Sequence, residues 1–200
     1  VPGGAVRRLV ASHLLTVVTE WASMVAVLVY AFDQEGARAT GLASLAVLAP
    51  QLVGAPIAAA LASSCSPRQL RLAGLAVQAG GFAVAAWAAA VEAPVVAVVA
   101  AAVVALGALS TLRPTGAVLL PAAVRSADEL TLGNLWVSHA EGVSALAGPL
   151  TAAALLALGG PAAALGGCAV LVALALLLTV LGTESGPAAA ADDVAWRPGP

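Results

Sequence analysis

The sequence predicts an all-α membrane protein of six transmembrane helices, arranged as a 3+3 inverted repeat. Three observations carry that prediction. Hydrophobic residues make up 62% of the 200-residue chain and charged residues 9%, where roughly a quarter of a soluble domain is charged. The apolar residues fall into stretches of spanning length, about 20 residues each, bounded by turn signals. The arginines alternate from one connecting segment to the next, as they do between cytoplasmic and external loops.

The first span, 9–32, follows Arg7-Arg8 and stops at Asp33-Gln34-Glu35-Gly36. The second, 39–62, stops at Ser63-Ser64-Cys65-Ser66-Pro67, and the third, 70–91, at Glu92-Ala93-Pro94. The fourth covers 95–112, with an apolar extension towards 120, and leads into the connection from Arg113-Pro114 to Glu129. Within that connection Ser126-Ala127-Asp128-Glu129 reads as a helix start, with its acids at the positive end of the helix dipole. The fifth span, 131–158, ends at Gly159-Gly160-Pro161, and the sixth covers 162–182. Residues 1–8 are thus a cytoplasmic N-terminal segment, 9–182 the transmembrane bundle, and 183–200 a cytoplasmic linker or truncated tail. A chain that begins at Val1 and stops on Trp196-Arg197-Pro198-Gly199-Pro200 reads as a piece of a longer protein.

The charges orient the bundle. Arg7, Arg8, Arg68, Arg71, Arg113, Arg125 and Arg197 fall on one side and Arg38 alone on the other, which puts both termini in the cytoplasm. A cleaved signal peptide is excluded for 7–32, because the apolar run is too long and contains Glu20. All the cations are Arg, which with the abundant Ala, Gly and Val points to a high-GC genome. Eight cations against ten acids offer no phosphate track, so nucleic acid is not an expected partner. Cys65 and Cys168 lack any CxxC or His spacing, so no metal, cofactor or disulfide framework is expected. No nucleophile elbow, HExxH or phosphate-cradling glycine loop is present, and the chain is read as no enzyme.

Polar residues inside the spans carry the functional signal. In the first span His13, Thr16, Glu20, Ser23 and Tyr30 recur at helical spacing and form a stripe. A charged carboxylate at mid-membrane costs at least about 2.5–3.5 kcal/mol, so Glu20 is expected to face water, find a partner or stay protonated. The fifth span repeats the pattern with Thr131, Asn134, Ser138, Glu141 and Gly148, while His139 points elsewhere. The third and sixth spans, with Gln78 and Thr179 as their conspicuous polar groups, read as supporting helices. Tyr30 and Trp87 lie near span ends and suit an aromatic belt, whereas Trp21 and Trp136 do not. Helix interruptions at Pro50, Gly54 and Pro56 in the second span, and at Gly148-Pro149 in the fifth, occupy corresponding places in two triplets.

These residues resemble the amino-terminal six-helix half of a major facilitator superfamily transporter over about 7–182. The resemblance lies in Arg7-Arg8-Leu9, Glu20-Trp21, Arg113-Pro114-Thr115-Gly116-Ala117 through Leu119-Leu120-Pro121, Asp128-Glu129-Leu130 with Asn134, and Glu141-Gly142 leading to Gly148-Pro149. It is strongest to the exporter branch, especially actinobacterial members in which a cyclic-nucleotide-binding domain follows the membrane part. The family's loop between the second and third spans carries an Asp-Arg pair. Here Ser63-Ser64 stand in its place, and Arg68 and Arg71 keep the basic character. In the exporter motif of the fifth span Gly148-Pro149 remain, while Ala152-Ala153 replace a Gly pair.

The resemblance implies one half of a major facilitator fold, cycling by alternating access against a second six-helix half from the same gene or another copy. The partners are then the lipid bilayer and a small amphipathic or hydrophobic solute. Glu20, Thr16, Ser23, His13, Glu141, Asn134 and Ser138 are the candidates for substrate contact or proton coupling. Arg68, Arg71 and Arg113 are the cytoplasmic gate candidates, and Gly54, Pro56, Gly148 and Pro149 the packing and hinge positions. The competing expectation is a transporter-derived membrane sensor or anchor that regulates an attached cyclic-nucleotide-binding module.

Overall fold

The structure, a computed structural model, describes residues 4–62, 66–124 and 126–182. Within them, the side chains of 5, 51–59, 61–62, 110–118, 122–123 and 182 lie outside the description. The substitution at Ser63-Ser64, together with Cys65, Arg125, Arg197 and the tail 183–200, is therefore outside the described residues, as are the side chains of Pro56 and Arg113.

The described residues are almost entirely helical. Helix α1 covers Gly4–Glu35, α2 Ala37–Ala62, α3 Pro67–Ala90 and α4 Val95–Ala123. The last helical run, Ala127–Gly182, is interrupted where Gly159 turns extended (φ −167°) and Gly160 adopts φ 67°, ψ −163°. It therefore comprises two helices, α5 (127–158) and α6 (161–182). Among the described residues Val6–Glu35, Pro67–Ala90 and Ala127–Leu181 are long and apolar enough to cross a membrane, and Val95–Leu109 is a shorter apolar helix. An all-α membrane protein fits this architecture.

Local chemistry explains where the helices begin and end. Ser66 caps α3 in a capping box: its hydroxyl accepts from the Gln69 N–H and Gln69 Oε1 accepts from the Ser66 N–H, each at 3.3 Å, with Pro67 opening the first turn. At α5 the Ser126 hydroxyl accepts from the Glu129 N–H at 3.2 Å, and Asp128 and Glu129 occupy the first turn, as the sequence predicts. Gly36, at φ 77°, reverses the chain between α1 and α2 and donates to Phe32 O at 2.9 Å. Helix α2 runs unbroken through Pro50, Gly54 and Pro56, so the expected interruption does not break its backbone. Pro149 likewise lies inside a continuous α5.

The core is built of small side chains, chiefly Ala and Val with Leu75, Phe82 and Leu165. Helix α1 is central and packs most extensively on α5 and α6, while α4 packs on α2 and α3. The α1–α5 crossing is the tightest of these: a Cβ added at Gly148 would lie 2.3 Å from Trp21 Cβ and 2.9 Å from Val18 O. Between α3 and α4, a Cβ at Gly81 would come within 2.9 Å of Ala105 Cβ. Between α3 and α6, one at Gly166 would touch Ala86 at 3.9 Å. Such small-residue contacts let helix backbones approach in the absence of a hydrophobic driving force between helices.

Candidate functional site

The first polar stripe is largely internal. Thr16, Glu20, Ser23 and Tyr30 are buried, with Glu20 at 7% exposure, and His13 is partly covered. Two of its hydroxyls are satisfied by their own helix: Thr16 donates to His13 O at 2.7 Å and Ser23 to Glu20 O at 3.0 Å. Glu20 thus sits inside the bundle rather than against lipid.

The second stripe divides. Thr131, Asn134, Ser138 and Glu141 are exposed along α5, while Gly148 is buried against α1. A repeat of three and four residues drifts by only about 20° per seven against a 3.6-residue turn, so Glu141 and Gly148 lie on nearly one face of α5. What divides them is the partner: α1 closes on α5 at Gly148 and leaves the row exposed nearer the start of the helix. His139 is turned away, with Nδ1 2.8 Å from Leu135 O and its ring against Trp136.

The two stripes meet at one point. His13 Nε2 lies 3.6 Å from Glu141 Oε1, with the His13 side chain 16% and the Glu141 side chain 51% exposed. Two turns further along both helices, Gly148 meets Trp21 and Val18. Since residue numbers rise together at both contacts, α1 and α5 run parallel.

A second polar centre lies where α1, α3 and α6 converge. Arg71 is only 2% exposed, and its Nη2 donates to Ser12 Oγ at 3.1 Å. Ser12 Oγ also lies 3.0 Å from Ala175 O and 3.0 Å from Thr179 Oγ1, and Thr179 donates to Ala175 O at 2.8 Å. Nearby on the chain, Arg8 Nη1 donates to Leu181 O at 2.6 Å, placing a cation on the C-terminal carbonyls of α6.

Here the structure departs from the sequence reading. Arg68 is exposed as a loop-end cation should be, but Arg71 is drawn into the helix junction. Because α3 begins at Pro67 rather than at 70, Arg71 falls in its second turn, on the buried face shared with Gly74, Leu75, Gln78 and Phe82. Helices α3 and α6 consequently do more than support. Arg71 and Thr179 bond across the junction through Ser12, and Gln78 is fully buried with neither amide atom hydrogen-bonded. The sequence signal was the helical spacing of 71, 74, 75, 78 and 82, read too late by one turn.

Tyr30 also differs from expectation. It is buried, and its hydroxyl donates to Ala93 O at 2.5 Å, closing the α3–α4 turn onto α1, whereas Trp87 is exposed. Cys168 is buried with Sγ 4.0 Å from Thr19 O. Among the described residues no group of three His, Cys, Asp or Glu is placed to hold a metal ion. No known protein family, curated protein or solved structure matches this chain.

Proposed function

We propose that this chain is one half of a multipass membrane transporter that exports a small amphipathic or hydrophobic solute by alternating access. The observation that carries the proposal is the row Thr131, Asn134, Ser138 and Glu141, exposed on the outside of an otherwise apolar bundle. In a bilayer such a row is expensive against hydrocarbon, and intramembrane ionisable groups ordinarily face bundle interiors or water-filled cavities. A second six-helix bundle facing α5 would turn the row into the wall of an aqueous passage.

The packing favours the same reading. Helix α1, first of one triplet, packs on α5 and α6 of the other, and α4, first of the second triplet, packs on α2 and α3. That exchange is compatible with a 3+3 inverted repeat, in which the first helix of each triplet holds the corresponding place. Glu20, buried on the central helix, is the coupling or substrate-contacting carboxylate of this proposal. The Arg-rich segments then lie in the cytoplasm of a bacterial inner membrane, with Arg68 at the cytoplasmic rim.

The test is proton-driven flux of amphipathic fluorescent dyes in proteoliposomes holding the protein together with its completing half. Glu20→Gln is expected to abolish flux and its dependence on the proton gradient. Unchanged flux and pH dependence would remove Glu20 from the mechanism, and absence of flux in the unaltered protein would favour the sensor reading.

A further inference from the structure

From the meeting of the two stripes we infer that His13 and Glu141 form a proton-operated clasp between α1 and α5, closed when the imidazole is protonated and loosened when it is neutral. The inference rests on the reading of the α5 row as water-facing, since protons must reach the pair.

The geometry supplies a fulcrum and a latch. At Gly148 the backbones of α1 and α5 are in closest approach, and no side-chain carbon fits between them. The His13–Glu141 contact lies about 10 Å away, two helical turns nearer the N-terminal end of the bundle. A change in attraction there swings the adjoining helix ends about a fixed point.

The latch has the chemistry of a proton sensor. Imidazole is the side chain whose charge changes between pH 5 and 8, and here it faces a carboxylate. At 3.6 Å the pair is longer than the 2.7–2.9 Å of a charge-assisted N–H···O bond, so protonation has room to tighten it. One partner is mostly covered and the other half exposed, which joins an undiluted electrostatic contact to access from water.

Glu141 makes an ionic contact with the imidazole. On α1 itself Glu20 is two turns away and the nearer Arg8 donates to Leu181 O, while on α5 His139 is held by Leu135 O and Trp136, and Asp128 and Glu129 lie in the first turn. Helix α3 offers Arg71, whose guanidinium is engaged with neighbouring Ser12, and α6 offers the uncharged Thr179 and buried Cys168. The ionisable residue of α2 is Arg38, at its far end, and that of α4 is Arg113, whose side chain is outside the described residues.

The test reads the distance between spin labels at Arg7→Cys and Asp128→Cys, two exposed positions at the clasp end of α1 and α5, in the full chain in lipid nanodiscs with Cys65→Ser and Cys168→Ala. The separation is expected to be shorter at pH 5.5 than at pH 8.5. Glu141→Gln should hold it long at both pH values. His13→Lys, charged throughout, should hold it short at both, which keeps the test decisive if one variant folds poorly. His139→Gln should leave the pH response unchanged. A separation independent of pH in the unaltered pair, or a pH response that survives Glu141→Gln and His13→Lys, overturns the clasp. The measurement needs no transport, so a working clasp in a protein that supports no flux would sink the transport proposal alone.

Discussion

Arg71 and Ser12 are joined by a 3.1 Å hydrogen bond inside the bundle, and the same serine oxygen lies 3.0 Å from both Ala175 O and Thr179 Oγ1. One hydroxyl therefore links α1, α3 and α6, while Arg71 Nε has no partner. Hydrogen bonds to charged groups contribute about 1.5–3 kcal/mol, and a buried charge stripped of its partner is costlier than an apolar replacement. Ser12→Ala is expected to lower stability by about 2 kcal/mol, and Arg71→Met, which removes the charge at similar volume, by less. In the double variant the losses should fall short of their sum. Thermal unfolding of the four proteins in detergent checks this, and strictly additive losses would refute the coupling.

The crossing of α1 and α5 predicts a sharp contrast between two glycines of one helix. At Gly148 a methyl group would strike Trp21 Cβ at 2.3 Å and Val18 O at 2.9 Å, so the backbones themselves must separate. Overpacking of this kind costs about 1–3 kcal/mol. At Gly142, two turns away and exposed, an added Cβ meets nothing within 4 Å. Gly142→Ala is expected to be neutral or to stabilise by up to about 1 kcal/mol through helix propensity, while Gly148→Ala destabilises. Equal melting temperatures for the two variants would contradict the crossing.

The helices are legible because long apolar runs mark them and Gly, Pro and acidic clusters mark most of their ends, although α4 runs on through Arg113-Pro114 to Ala123. The expected break at 159–161 appears at Gly159 and Gly160, and the expected start at Ser126 appears as a cap on Glu129. What sequence did not reveal was how side chains meet across helices. His13 and Glu141 were each visible as stripe residues, yet their contact depends on the parallel packing of α1 and α5 at Gly148. The three-residue error at the start of α3 hid Arg71, because one turn decides whether a cation ends a loop or enters a core. Tyr30 does not join an aromatic belt, because an aromatic near a span end can equally turn inward to a loop carbonyl.

Removal of that phenol gives a further test. Tyr30→Phe keeps the buried ring and deletes the 2.5 Å bond to Ala93 O, leaving the carbonyl without this donor. A loss of about 0.5–1.5 kcal/mol is expected. Hydrogen exchange at residues 91–94 should accelerate more than exchange in the middle of α3. Uniform acceleration along α3 would mean that the bond does not hold the turn in particular.

Two turns at one end of the bundle make a prediction of opposite signs. Glu92 adopts φ 52° where α3 ends, with its N–H on Ala89 O at 3.2 Å and the Ala93 N–H on Ala88 O at 2.9 Å. This is the Schellman pattern, which ordinarily places Gly at the left-handed position. The left-handed conformation costs an L-residue about 1–2 kcal/mol, partly offset in a glycine variant by the greater freedom of its unfolded chain. Glu92→Gly is expected to stabilise the protein by up to about 1 kcal/mol, with Glu92→Ala as the control that removes the charge and retains the strain. Gly160, by contrast, holds φ 67° and ψ −163°, a region that admits essentially glycine alone, so Gly160→Ala should cost about 1–3 kcal/mol. Melting temperatures that rise for Glu92→Gly, stay level for Glu92→Ala and fall for Gly160→Ala would show that backbone conformation, and not side-chain chemistry, sets the stability of both turns.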